Sequence, residues 1–136
     1  MSIEIQGVCP LLQVFDMPNS IKFYRDLLGF QIVTTSPILS DDQDDVNWAM
    51  LRKNGSPVML NTAYEPESRP PAPEPVRFAG HGDTCLYLGC PDVDGAYTYL
   101  RSRGLEIPEP KVAPYGMKQL YITDPDQYSI CFQWTA

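Results

Sequence analysis

The chain has 136 residues, 43% hydrophobic and 20% charged, the balance of a globular domain or of two small modules sharing a core. No apolar run reaches the ~20 residues a membrane-spanning helix needs. Met1–Gln6 has neither the basic nor the apolar region of a secretory leader, so a cytoplasmic location is expected. Seventeen acidic and ten basic residues give a formal charge of −7, and the longest basic stretches are Arg52-Lys53 and Arg101-Ser102-Arg103. That excludes a phosphate-gripping face, and with it nucleic acid and anionic membrane as partners. A neutral or cationic small molecule is easier to accommodate.

In chain order, Val8–Phe15 is short and apolar and is expected to be a strand. A helix follows, capped by Asn19 or Ser20, with Ile21, Phe23, Tyr24, Leu27 and Leu28 at helical spacing and Gly29 as a left-handed stop. Phe30–Thr35 resumes as a strand. The run Ser40–Asp45 carries four carboxylates and is expected to be a solvated loop, with a cation-attracting rim as the alternative. Asn47–Arg52 and Pro57–Asn61 form a hairpin across Asn54-Gly55. Residues 62–84 form a connector holding Pro66, Pro70, Pro71, Pro73 and Pro75, expected to be neither helix nor central strand. It contains the sole histidine, His81, expected to be an exposed loop residue, with proton transfer as the alternative.

Residues 85–136 repeat the order. Cys85–Cys90 is a strand. Pro91-Asp92-Val93-Asp94 opens a helix with Val93, Ala96, Tyr97 and Leu100 on one face, stopped by Gly104. Leu105–Ile107 is expected to be a short strand before Pro108 and Pro110. Lys118–Thr123 and Tyr128–Gln133 form a hairpin. The two β-α-β-β-β patterns, residues 1–61 and 85–136, align: Cys9 lies seven residues before Asp16 and Cys85 seven before Asp92. An offset of 72 sets Trp48 on Leu120, Asn54 on Asp126 and Met59 on Cys131. Such a repeat dictates the fold.

Phe15–Phe30, Pro91–Ala96, Pro114–Met117 and Asp124–Ile130 together resemble the vicinal oxygen chelate superfamily, which includes glyoxalase I, extradiol dioxygenases and fosfomycin and bleomycin resistance proteins. The resemblance implies an α+β fold of two tandem βαβββ modules. Their curved mixed sheets would surround a cleft, usually in a homodimer. Two amphipathic modules of this size are each marginal alone, so docking them is expected to bury both apolar faces.

The resemblance also implies metal-ligand positions, His on the first strand of each module and Glu on the last. Here they carry Cys9, Met59, Cys85 and Cys131. Hard divalent ions and oxygen-activating iron need imidazole and carboxylate donors, so no metal and no cofactor is expected. A soft site of three cysteine sulfurs and one methionine sulfur is the alternative, disfavoured because Cys and Met fill apolar positions without metal. The four cysteines form no Cys-x-x-Cys pair and are expected to be reduced, most of them buried.

Strand parity puts Leu11 and Gln13 beside Cys9, Asn61 beside Met59, Tyr87 beside Cys85 and Gln133 beside Cys131, with Trp48 and Met50 on one face of their strand. Tyr115 lies in the loop ahead of the last hairpin. Gln13, Trp48, Met50, Asn61, Tyr87, Tyr115 and Gln133 are the candidate ligand-binding residues, an aromatic and amide lining suited to an organic ligand. Each has a plainer role open to it: Trp48 as core, the tyrosines packed locally, the amides satisfied by backbone or water. No nucleophile elbow, phosphate loop or dinucleotide fingerprint occurs. Cys9 or Cys85 as a nucleophile would need a base beside it, and the chain has one histidine.

The expected function is therefore metal-independent sequestration of a small organic ligand, as in the bleomycin-resistance-like branch. A metal-dependent lyase, isomerase or dioxygenase with donors displaced to Glu65, His81 or Glu106 is the second reading. An interaction module with a vestigial cleft is the third.

Overall fold

A computed structural model describes residues 2–136, which divide into two compact units, residues 2–69 and 70–136. Each unit holds one four-stranded mixed sheet, and the strand orders correspond.

In the first unit, β1 (Leu11–Val14) runs parallel to β4 (Ser56–Thr62), which pairs antiparallel with β3 (Trp48–Lys53), which pairs antiparallel with β2 (Gln31–Thr35). β1 is shorter than the apolar run suggested, because Pro10 has no N–H for a ladder and Val8 is exposed. The carbonyl of Pro10 still accepts the Met59 N–H at 2.8 Å.

Helix α1 (Met17–Ile21) widens into a π-helical turn over Lys22–Leu27. Its cap is Asp16, not Asn19 or Ser20: the Asp16 carboxylate accepts the Asn19 N–H at 3.2 Å, and Pro18 sits in the first turn, where no backbone donor is lost. Gly29 ends the helix at φ +84°, as its left-handed stop requires. Ile21 and Tyr24 pack with Leu12, Val14, Ala49, Leu51, Val58 and Leu60 from alternate strand positions; all are buried. The acidic loop is not wholly solvated. Asp44 is buried and takes two parallel hydrogen bonds from Arg25, at 2.8 and 3.0 Å, and a bidentate pair of that kind anchors the loop to the helix.

The second unit repeats the plan. β5 (Cys85–Gly89) runs parallel to β8 (Ser129–Thr135), β8 pairs antiparallel with β7 (Met117–Thr123), and β7 with β6 (Lys111–Val112). Leu105–Ile107 is not a strand; pairing begins past Pro110, once the chain has donors again. Helix α3 (Val93–Ser102) is capped by Asp92, whose carboxylate accepts the Gly95 N–H at 2.9 Å, and it buries Val93 and Leu100.

The connector departs from expectation. It holds a 3₁₀ turn at Pro66–Ser68 and a helix, α2 (Pro75–His81). Pro75 is tolerated because it occupies the first turn, and no proline follows it. His81 is the last residue of α2, half-buried rather than exposed. Its ring stacks on Tyr128 with centroids 4.1 Å apart, and its Nδ1 lies 2.7 Å from the carbonyl of Asp126. Facing a carbonyl, Nδ1 must carry the proton.

Candidate functional site

One face of each sheet is closed by a helix; the other carries the candidate residues. In the first unit, register pairs Gln13 with Asn61, Trp48 with Asn61, Met50 with Met59 and Leu11 with Met59. All six therefore share the face opposite α1. Leu11 is exposed and the other five are half-buried. Asn61 Nδ2 donates to Gln13 Oε1 at 3.2 Å and to the Thr62 carbonyl at 3.3 Å. Cys9 precedes the strand, half-buried.

In the second unit, Tyr87 and Tyr121 both lie level with Cys131, while Gly89 and Gln119 lie level with Gln133. A continuous polar chain runs across this face. The Tyr87 and Tyr121 hydroxyls meet at 3.1 Å, and the Tyr121 hydroxyl reaches Gln119 Oε1 at 3.5 Å. Gln119 Nε2 donates to the Tyr115 hydroxyl at 2.8 Å and to Gln133 Oε1 at 3.0 Å. Tyr87, Tyr115 and Tyr121 are nonetheless 53%, 69% and 42% exposed, so their rings and hydroxyls are open to a ligand.

Sequence reasoning missed Gln119 and Tyr121. The signal was present in Gln119-Leu120-Tyr121-Ile122, where polar residues alternate with the buried Leu120 and Ile122. The repeat alignment also needs correction on this strand. In the repeat alignment the register matches Trp48 to Gln119, not Leu120, because the turn after Thr123 is longer than the two-residue turn after Lys53. Met59 on Cys131 stands.

Burial and its neighbours tune the thiols and phenols. Hydrogen bonding to Tyr87, with a lesser contribution from desolvation, pushes the Tyr121 phenol well above its ordinary value. Burial pushes the Cys131 thiol up, so it stays protonated against the Tyr121 hydroxyl. The Cys90 thiol is likewise raised, by burial and then by Asp92. All four cysteines are free; Cys131 is buried, whereas Cys9, Cys85 and Cys90 are half-buried, fewer buried than expected. A raised pKa withholds the thiolate that nucleophilic attack or metal ligation requires.

The model of one protein family, the Glyoxalase/Bleomycin resistance protein/Dioxygenase superfamily, matches residues 7–132. The chain belongs to this superfamily. Solved structures share the superfamily fold. TioX from Micromonospora sp. ML1 matches with a TM-score of 0.72 at 17% identity, over 96% of this chain and 99% of that one. TnmS3, an antibiotic binding protein from Streptomyces sp. CB03234, matches at 0.69 and 24%, over 99% and 100%. Lactoylglutathione lyase from Agrobacterium tumefaciens matches at 0.68 and 17%, over 96% and 94%.

Metal-using members of the superfamily imply a divalent ion. The donors on this chain do not suit one. Cys9 and Met59 belong to the first unit and Cys85 and Cys131 to the second, all four sulfur, with Cys131 held as a neutral thiol. Hard ions require oxygen and imidazole donors. Among the described residues no three His, Cys, Asp or Glu side chains gather within either unit, Glu65, His81 and Glu106 included. Nor does any helix of the described residues have the length and apolarity to cross a membrane.

Proposed function

We propose that this superfamily member binds a small organic ligand, without metal, on the aromatic and amide faces of its sheets, and acts by sequestering it. The observation that carries the reading is the chain Tyr87–Tyr121–Gln119, branching to Tyr115 and Gln133, on the helix-free face of the second sheet. Ring faces and edges offer stacking area, while fixed hydroxyls and amides set orientation, the usual division of labour in a ligand site. On the first sheet Trp48 and Met50 supply apolar surface, and Gln13 and Asn61 a second amide pair.

The antibiotic binding described for TnmS3 supports the same direction. The excess of acid over base favours neutral or cationic ligands. The modules 1–61 and 85–136 are each taken to contribute one such face, in a cytoplasmic homodimer whose state sedimentation would check.

The test is titration calorimetry of the chelator-treated protein against aromatic, amide-rich compounds, cationic glycopeptides among them. Saturable binding that weakens about tenfold in Gln119→Ala is expected. The proposal fails if no member of the panel binds, or if binding or turnover appears only after a divalent metal is added.

A further inference from the structure

The first unit has a pocket away from the open sheet face. It forms where β1 and β4 end. The Thr62 N–H donates to the Asn47 carbonyl at 2.9 Å, and Leu39 closes the acidic loop through its N–H to the Asp45 carbonyl at 2.8 Å. The pocket is open at its mouth and has a cavity volume of about 80 Å³. Phe15 and Tyr64 meet edge to face with centroids 6.2 Å apart and form an aromatic wall, and the buried Met17 lies beneath.

Two opposite charges line this pocket. The guanidinium of Arg69 lies over the Phe15 ring, 4.3 Å from its centroid. Its ion pair is with Asp16 Oδ2, at 3.9 Å, beyond hydrogen-bonding range; the other oxygen of Asp16, Oδ1, caps α1. Most of the five Arg69 donors therefore remain available. Asp45 lines the same pocket, and among the described residues its carboxylate has neither a hydrogen-bond nor an ion-pair partner. Arg69 and Asp45 do not pair with each other. Asn47 lines the pocket as well.

We propose that this pocket is a second binding site, for a small zwitterion with an apolar side chain: an α-amino acid or a molecule built like one. Its carboxylate pairs with Arg69, its ammonium with Asp45, and its side chain rests on Phe15 and Tyr64. Charge-assisted hydrogen bonds at both ends give specificity for a ligand carrying both charges. A ligand with one charge leaves the other pocket charge unanswered. Because Arg69 and Asp45 lie in the first unit and the Tyr121–Gln119 chain in the second, this proposal and the preceding one fail separately.

The experiment is amide NMR titration of the intact protein with phenylalanine, phenylacetate and phenethylamine, repeated on Arg69→Gln and Asp45→Asn. Phenylalanine is expected to shift the signals of Asp45, Asn47, Tyr64 and Arg69, and to bind about tenfold more tightly than either single-charge analogue. Arg69→Gln is expected to bring phenylalanine down to the affinity of phenethylamine, and Asp45→Asn to that of phenylacetate. Unchanged urea midpoints verify that both variants fold. The proposal is overturned if the three probes bind alike, if the variants bind phenylalanine as the parent does, or if these signals stay still at millimolar phenylalanine.

Discussion

The hydroxyls of Tyr87 and Tyr121 face each other across the second sheet at 3.1 Å, both directly above the buried Cys131. This hydrogen bond, more than desolvation, raises the pKa of Tyr121. The folded value exceeds the unfolded value of about 10. The associated stability is therefore complete below that pH and is lost as pH rises through the higher folded value. Ultraviolet titration is expected to show one phenol ionising later than the others, and Tyr87→Phe should return it toward the ordinary range. An unchanged late phenol in Tyr87→Phe would assign the shift elsewhere.

Arg25 and Asp44 join the helix to the acidic loop by two hydrogen bonds on a partly buried carboxylate. Asp44→Asn is expected to cost about 1–2 kcal/mol in urea unfolding, since one bond of a charge-assisted pair is weakened in a partly screened setting. Asp41→Asn, in the exposed part of the same run, should leave the midpoint unchanged within error.

His81 pins α2 to the turn after β7 through a ring stack on Tyr128 and an Nδ1–H bond to Asp126. Nitrogen-15 NMR at alkaline pH should find the proton on Nδ1 and Nε2 bare. His81→Ala is expected to destabilise by about 1–3 kcal/mol, through loss of the stack and of one hydrogen bond. His81→Phe should recover the stacking part alone. A proton found on Nε2 would contradict the geometry.

Cys131 is fully buried, and burial raises its thiol. Reaction with Ellman's reagent at neutral pH should spare it until the protein unfolds, while the half-buried Cys9 and Cys85 react in the native state. Native-state labelling of Cys131, located by mass spectrometry, would mean the sheet opens locally.

Much of the architecture was legible because it rests on short-range rules. Helical spacing marked Ile21, Tyr24 and Leu100 as core, and all three are buried. Asn54-Gly55 marked a tight hairpin, with Asn54 at φ +54°. Gly29 and Gly104 marked helix ends and take φ +84° and +92°. What escaped depends on partners far along the chain. Nothing near Asp44 shows that Arg25 will bury it, and nothing near His81 announces the Tyr128 ring. α2 was hidden because prolines dominate its approach, although Pro75 itself starts the helix. On the second sheet, Tyr87, Tyr115 and Gln133 could be named from parity, but the Gln119 amide that joins Tyr115 and Gln133 emerged only from the register of β7 on β8.

The central claim is that ligand binding needs no metal, and calorimetry on protein purified without chelator tests it most directly. Metal content is measured first, and each titration is run with and without a chelator. The expected result is the same affinity in both, with no stoichiometric Mn, Fe, Ni or Zn. A stoichiometric metal whose removal abolishes binding would contradict the claim.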